Sequence, residues 1–151
     1  MAIFDHQAFA VKFVTAMNDQ DQPAFNALVT TDFVTEWPQT RERIRGLANY
    51  WSVMAGAPSG MAGRGNELGT LSTQPTDAVR LAAPSFTFVT VEGAGSSGTI
   101  TCKARFPDGA DRWVVALYRL RDGKLAKITV FFAPVSDPPE WRAHLVERME
   151  S

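Results

Sequence analysis

The sequence is poor in the residues that most often declare a chemistry. Of its 151 residues one is cysteine, Cys102, and two are histidine, His6 and His144. An intrachain disulfide is therefore excluded, and no CxxC or Cys/His cluster offers metal-ligand spacing. Charge of neither sign prevails, because 15 Lys and Arg stand against 16 Asp and Glu for a net charge of -1. That balance provides no positive field to hold a polyphosphate backbone, so nucleic acid is not an expected partner. No apolar run approaches the ~20 residues of a membrane span. The start, Met1-Ala2-Ile3-Phe4-Asp5-His6, lacks a basic segment followed by an apolar stretch. These absences lead to the expectation of a soluble cytoplasmic protein with no membrane partner, metal or cofactor.

What is present is ordinary for a globular chain: 45% hydrophobic and 21% charged residues. That composition excludes a disordered tail, a collagen-like repeat and a coiled coil. The length fits one domain over 1–151, able to bury about two-thirds of its unfolded surface. Phe9, Phe13 and Met17, with Val14 beside them, lay an apolar stripe on a helix over 5–18. Asp21 reads as the N-cap of a second, short helix, with Pro23 in its first turn and Phe25, Leu28 and Val29 on its stripe. The alternation over 32–37, ended by Pro38, predicts a short edge strand. Leu47, Tyr50, Trp51 and Met54 place a third helix after Gly46. The Gly-rich stretch 56–69 predicts a long loop, a candidate lid. Strands of an antiparallel sheet are expected near 68–73, 86–91, 99–106, 112–120 and 125–132. Pro138 and Pro139 open a last helix with Trp141, Leu145 and Met149 on one face.

Alternation also labels the two faces of the sheet, because an unpaired polar group at a buried position is costly. Val114, Ala116, Tyr118 and Leu120 face inward, as do Ile128, Val130 and Phe132 on the next strand and Ile100, Cys102, Ala104 and Phe106 on the strand before. A two-residue Asp122-Gly123 turn would pair Ala116 with Thr129 and set one interior against the other's exterior. A three-residue loop from Arg121 to Gly123, with a left-handed bulge at Gly123, pairs Ala116 with Ile128 and is the expected form. The outer face then carries Trp113, Val115, Leu117 and Phe131, more apolar surface than a solvated face should have. A homodimer through that face is the expected partner arrangement.

The order of elements, with Thr35-Glu36-Trp37-Pro38 leading into Arg43-Ile44-Arg45-Gly46 and with Leu120-Arg121-Asp122-Gly123-Lys124-Leu125 near the end, resembles the nuclear transport factor 2-like superfamily and its SnoaL-like, polyketide cyclase-like branch. The resemblance spans nearly the whole chain. It implies a cystatin-like α+β fold: a cone-shaped, curved antiparallel (mixed) sheet, three N-terminal helices, a short C-terminal helix, and a pocket between sheet and helices. The superfamily includes ketosteroid isomerases, limonene epoxide hydrolases, polyketide cyclases and proteins with no chemistry, so fold alone does not decide function. A ketosteroid isomerase uses a carboxylate base, a tyrosine and a protonated aspartate. The corresponding places here resemble Trp37, Phe13 and Ala116, none of which can transfer a proton or hold an enolate. Lys103-Ala104-Arg105 lacks the carboxylates of the epoxide hydrolase pattern, and Phe131-Phe132-Ala133-Pro134 lacks the acid of many cyclase-like relatives.

Few polar groups are left to reach such a pocket. Tyr118 on the interior face could contact a ligand or satisfy itself on backbone. Gln39 could orient a ligand carbonyl or cap a turn. Glu36, opposite in parity to Trp37, reads as a solvated carboxylate, and His6 and His144 read as surface side chains. Cys102 reads as a small hydrophobe. Trp37, Trp51, Met54, Trp141 and Phe132 read as core. The mixed-sign run Arg41, Glu42, Arg43, Ile44, Arg45 reads as a solvated turn. The expected ligand-binding set is Phe13, Trp37, Gln39, Tyr50, Met54, Ala116, Tyr118, Val130 and Phe132, holding a hydrophobic small molecule, with no catalytic residue assigned. An isomerase, cyclase or dehydratase acting on a hydrophobic small molecule is the alternative, and a dimeric assembly module without catalysis is the second.

Overall fold

A computed structural model describes residues 3–56, 85–105 and 109–149. Helix α1 (His6–Asn18) starts where Asp5 accepts the Ala8 N–H at 2.9 Å, satisfying a donor the first turn leaves unpaired. Its apolar stripe, Phe9, Ala10, Phe13 and Val14, is buried. Helix α2 (Gln22–Leu28) repeats the device with Asp21, which accepts the Ala24 N–H at 3.0 Å, and buries Phe25. The chain then forms an antiparallel hairpin of β1 (Val29–Trp37) and β2 (Glu42–Arg45). Helix α3 (Leu47–Gly56) follows Gly46, whose φ of +85° suits glycine and whose N–H bonds the Phe33 carbonyl at 2.7 Å.

The remaining strands are β3 (Ser85–Ala94), β4 (Ser97–Arg105), β5 (Asp111–Arg121) and β6 (Lys124–Pro134). Together the six strands run β2-β1-β6-β5-β4-β3, with β1 parallel to β6 and every other neighbour antiparallel. This is an α+β fold with an open, mixed sheet. The expected edge strand over 32–37 is thus a nine-residue interior strand, flanked by β2 and β6. The edge on that side, β2, is the run expected to be a solvated turn. Only Ile44 of β2 is buried, between charged neighbours, as suits an edge protected from further pairing. The loop over 56–69, the strand near 68–73 and Phe106 lie outside the described residues, apart from Gly56 at the end of α3.

The inner faces fall where alternation put them: Ile100, Cys102, Ala104, Val114, Ala116, Tyr118 and Ile128 are all buried. The register differs from the expectation in one instructive way. Asp122 and Gly123, at φ +53° and +75°, make a two-residue turn of the type that suits hairpin twist. Arg121 faces Lys124 and Leu120 faces Leu125, but Arg119 faces Lys127, so Ala126 is the extra residue of a bulge. Ala116 therefore sits opposite Val130, not Ile128. The irregularity needed to align both interiors lies one step inside the ladder instead of in the loop.

Among the described residues after β6, the chain forms a 3-10 turn at Glu140–Leu145 and then runs without helix or strand through Met149. The expected helical face of Trp141, Leu145 and Met149 is exposed, Trp141 by 71%, so Trp141 does not belong to the core. Pro138 and Pro139 supply no N–H donors there, and no side chain caps the turn's start. Among the described residues, no helix is long and apolar enough to cross a membrane.

Candidate functional site

The three helices pack on the inner face of the sheet and leave a cavity of about 70 Å³ between them. That is room for roughly five to seven water-sized spheres. Helix α1 lines it with Phe13, Val14 and Met17, α2 with Phe25, and α3 with Tyr50 and Met54. Phe33, Thr35 and Trp37 of β1 form one side of the sheet wall. The other side comes from Ile100, Cys102, Val114, Ala116, Ile128, Val130 and Phe132, which alternation turns to one face. The Phe25 and Tyr50 rings stack with centroids 5.2 Å apart and planes 5° from parallel. Trp51 braces this pair edge-on, and its indole N–H donates to Asn26 Oδ1 at 2.8 Å, tying α3 to α2.

Of the expected ligand-binding set, Phe13, Trp37, Tyr50, Met54, Ala116, Val130 and Phe132 come together on this wall, and Gln39 and Tyr118 do not. Gln39 Oε1 instead accepts the Phe132 backbone N–H at 2.6 Å, fastening the end of β1's hairpin to β6. Tyr118 is inward and 2% exposed, but its hydroxyl lies 2.6 Å from Nδ1 of His6. The other imidazole nitrogen, Nε2, lies 3.0 Å from the Gly95 carbonyl, which can only accept. Nε2 is therefore the nitrogen that donates to that carbonyl, which leaves Nδ1 to the Tyr118 hydroxyl. His6 is thus half-buried and engaged at both nitrogens, unlike the surface side chain expected. Two glycines make the close approach possible. A Cβ at Gly93 would strike the His6 ring, and one at Gly98 the hydroxyl end of Tyr118.

Among the described residues, Glu36 and Asp111 are held in ion pairs outside the cavity wall. Glu36 faces the outer side, where Arg43 stands at 2.7 Å, Lys127 at 3.0 Å and the Thr129 hydroxyl at 3.5 Å. These partners, Lys127 first, hold its carboxyl below the usual carboxylate range. Lys103 and Arg105 flank Asp111 on β5, and the Arg105 guanidinium holds that carboxyl low as well. Within the wall the ionisable groups are Cys102, whose thiol burial pushes up to about 12, and Tyr50, whose phenol burial pushes up further. Both are neutral at physiological pH, so Cys102 is no thiolate nucleophile. Phe13, Trp37 and Ala116, the places the family resemblance links to acid–base chemistry, do meet on one cavity and meet as carbon surfaces.

One hydroxyl in the wall stands without a hydrogen-bond partner among the described residues. It belongs to Thr35, which lines the cavity and is 3% exposed. An unsatisfied buried hydroxyl costs about 1–3 kcal/mol. Sequence reading passed over it because threonine is at home in any strand.

An open mixed sheet wrapped on three helices around an apolar cavity places the chain in the NTF2-like class. Residues 10–128 match the model of the SnoaL-like domain family, and the chain belongs to that family. Among solved structures it is similar to a provisionally assigned ketosteroid isomerase of Kribbella flavida, at 25% identity and TM-score 0.71, covering 99% of this chain and 96% of that one. An NTF2-like protein of unknown function from Burkholderia xenovorans shares 17% identity with TM-score 0.68, over 95% of this chain and 94% of that one. A provisionally assigned polyketide cyclase of Sinorhizobium meliloti shares 16% identity with TM-score 0.54, over 82% and 94% of the two chains. Among curated proteins, none matches this sequence.

Proposed function

We propose that this SnoaL-like domain binds a small hydrophobic molecule in the cavity between its helices and sheet. The observation that carries the reading is the wall itself: its sixteen described side chains include no carboxylate, imidazole, ammonium or guanidinium. Such a wall favours an apolar guest through burial and shape. The assignments of two similar structures, to a steroid ketone and to a polyketide, accord with a hydrophobic guest. An isomerase, cyclase or dehydratase would need an inward carboxylate or histidine in reach of the guest. Glu36 is ion-paired on the outer face and His6 is engaged by Tyr118 and Gly95, so binding is the reading the cavity supports best. A thermal-shift screen of neutral monocyclic compounds tests it. A guest that binds only the folded chain raises the midpoint with concentration. A screen in which no such compound moves the midpoint overturns the reading.

A second copy of the chain is the partner we propose for the outer sheet face. Leu117 and Phe131 are 45% and 39% exposed there, beside half-buried Trp113 and Val115. The same face forms a broad depression lined by Ser97, Thr99, Arg119, Lys127 and Thr129 around those two apolar side chains. An apolar centre with a polar rim is the composition of a protein interface.

A further inference from the structure

We infer that the guest of this cavity is a neutral molecule bearing one hydroxyl or carbonyl on an otherwise hydrocarbon skeleton, and that Thr35 is the residue that selects it. The inference rests on the binding reading above and adds a polar requirement to it. Thr35 sits on the inner side of β1, paired with Ile44 on one neighbouring strand and Ile128 on the other. Phe33 and Trp37 precede and follow it on the same side. Packing alone at such a place is served by valine, which has the same shape and no hydroxyl to bury. A threonine in a strand cannot return its hydroxyl to a carbonyl one turn back, as it does in a helix. A water would need two to four polar partners to be held, and the wall around Thr35 is mostly carbon. A guest oxygen satisfies the hydroxyl directly, because it can donate to a ketone or accept from an alcohol. A carboxylate or ammonium guest would lose its hydration with no counter-charge among the described residues of the wall, so the reading is of a neutral guest.

Three shape-matched probes test this: ethylbenzene, acetophenone and benzoate, each titrated calorimetrically into the wild type, Thr35→Val and Thr35→Ser. Thr35→Val is expected to weaken acetophenone about tenfold, the worth of one neutral hydrogen bond. Ethylbenzene has no polar atom for that hydroxyl to bond, so the same change should alter its affinity less than about twofold. Thr35→Ser keeps the hydroxyl and should restore acetophenone binding, and benzoate should not bind. In the wild type itself, the infrared carbonyl stretch of bound acetophenone should fall below its value in hexane, a readout that needs no variant. Equal acetophenone affinity in wild type and Thr35→Val, or a carbonyl stretch at the hexane position, overturns the role of Thr35 while ethylbenzene binding leaves the cavity reading intact. Failure of both ethylbenzene and acetophenone to bind the wild type overturns both.

Discussion

His6 and Tyr118, 112 residues apart in sequence, meet with Nδ1 of one 2.6 Å from the hydroxyl of the other. The contact ties the first turn of α1 to β5, and the imidazole's second nitrogen extends it to the β3–β4 turn through Gly95. It is a polar clasp between α1 and the sheet. A double-mutant cycle with His6→Ala and Tyr118→Phe, followed by urea unfolding, should give a coupling of about 0.5–1.5 kcal/mol. Additive losses would show that the two groups do not depend on each other.

Gly98 is required by that clasp. A Cβ there would strike the hydroxyl end of Tyr118, a side chain too enclosed to swing aside. Gly98→Ala should therefore destabilise the fold by about 1–3 kcal/mol, as overpacking does. Gly95→Ala meets no neighbouring atom but holds a φ of +58°, so its loss should reflect backbone strain and not a clash.

Acid should weaken the protein through Glu36. Lys127 and Arg43 lower its carboxyl pKa in the folded state, so the folded chain binds that proton less readily than the unfolded chain. The resulting stabilisation is complete above the usual carboxylate range and is lost as pH falls through the lowered value. Unfolding midpoints should drop between roughly pH 5 and pH 3. Glu36→Gln should flatten that slope and remove no more than about 1 kcal/mol at neutral pH, since the ion pairs reach the surface. An unchanged slope in Glu36→Gln would assign the acid sensitivity elsewhere.

The parity of side chains was legible in the sequence, and most of the cavity follows from it. Val114, Ala116, Ile128 and Val130 could be turned inward because Lys127, Thr129 and Arg119 had to turn outward. That argument also required an irregularity between β5 and β6, but parity cannot say at which residue it falls, and the bulge at Ala126 took the place of the expected three-residue loop. β2 was illegible because one buried residue, Ile44, makes no alternation. In the sequence, Gln39 and Tyr118 stand out for the chemistry they could offer a guest. The fold uses both internally, on the Phe132 N–H and on His6, and such long-range pairings leave no local trace. Thr35 leaves no sequence signal for the opposite reason, since what sets it apart is a hydroxyl without a partner among the described residues.

The outer face carries its own expectation. Sedimentation at micromolar concentration should show a dimer, and Leu117→Lys, placing a charge at the centre of the exposed apolar patch, should shift it to monomer with little loss of fold. A monomeric wild type would refute pairing through this surface. A dimer unaffected by Leu117→Lys would place the contact elsewhere.

The binding account turns on Ala116, the smallest side chain on the cavity wall, set between Ile100 and Val130 in the ladder. Calorimetric titration of ethylbenzene into wild type and Ala116→Leu tests it most directly. The account predicts saturable one-to-one binding to the wild type, weakened by about tenfold or more when leucine occupies the space. Absence of saturable binding to the wild type, or equal affinity in a folded Ala116→Leu, would contradict it.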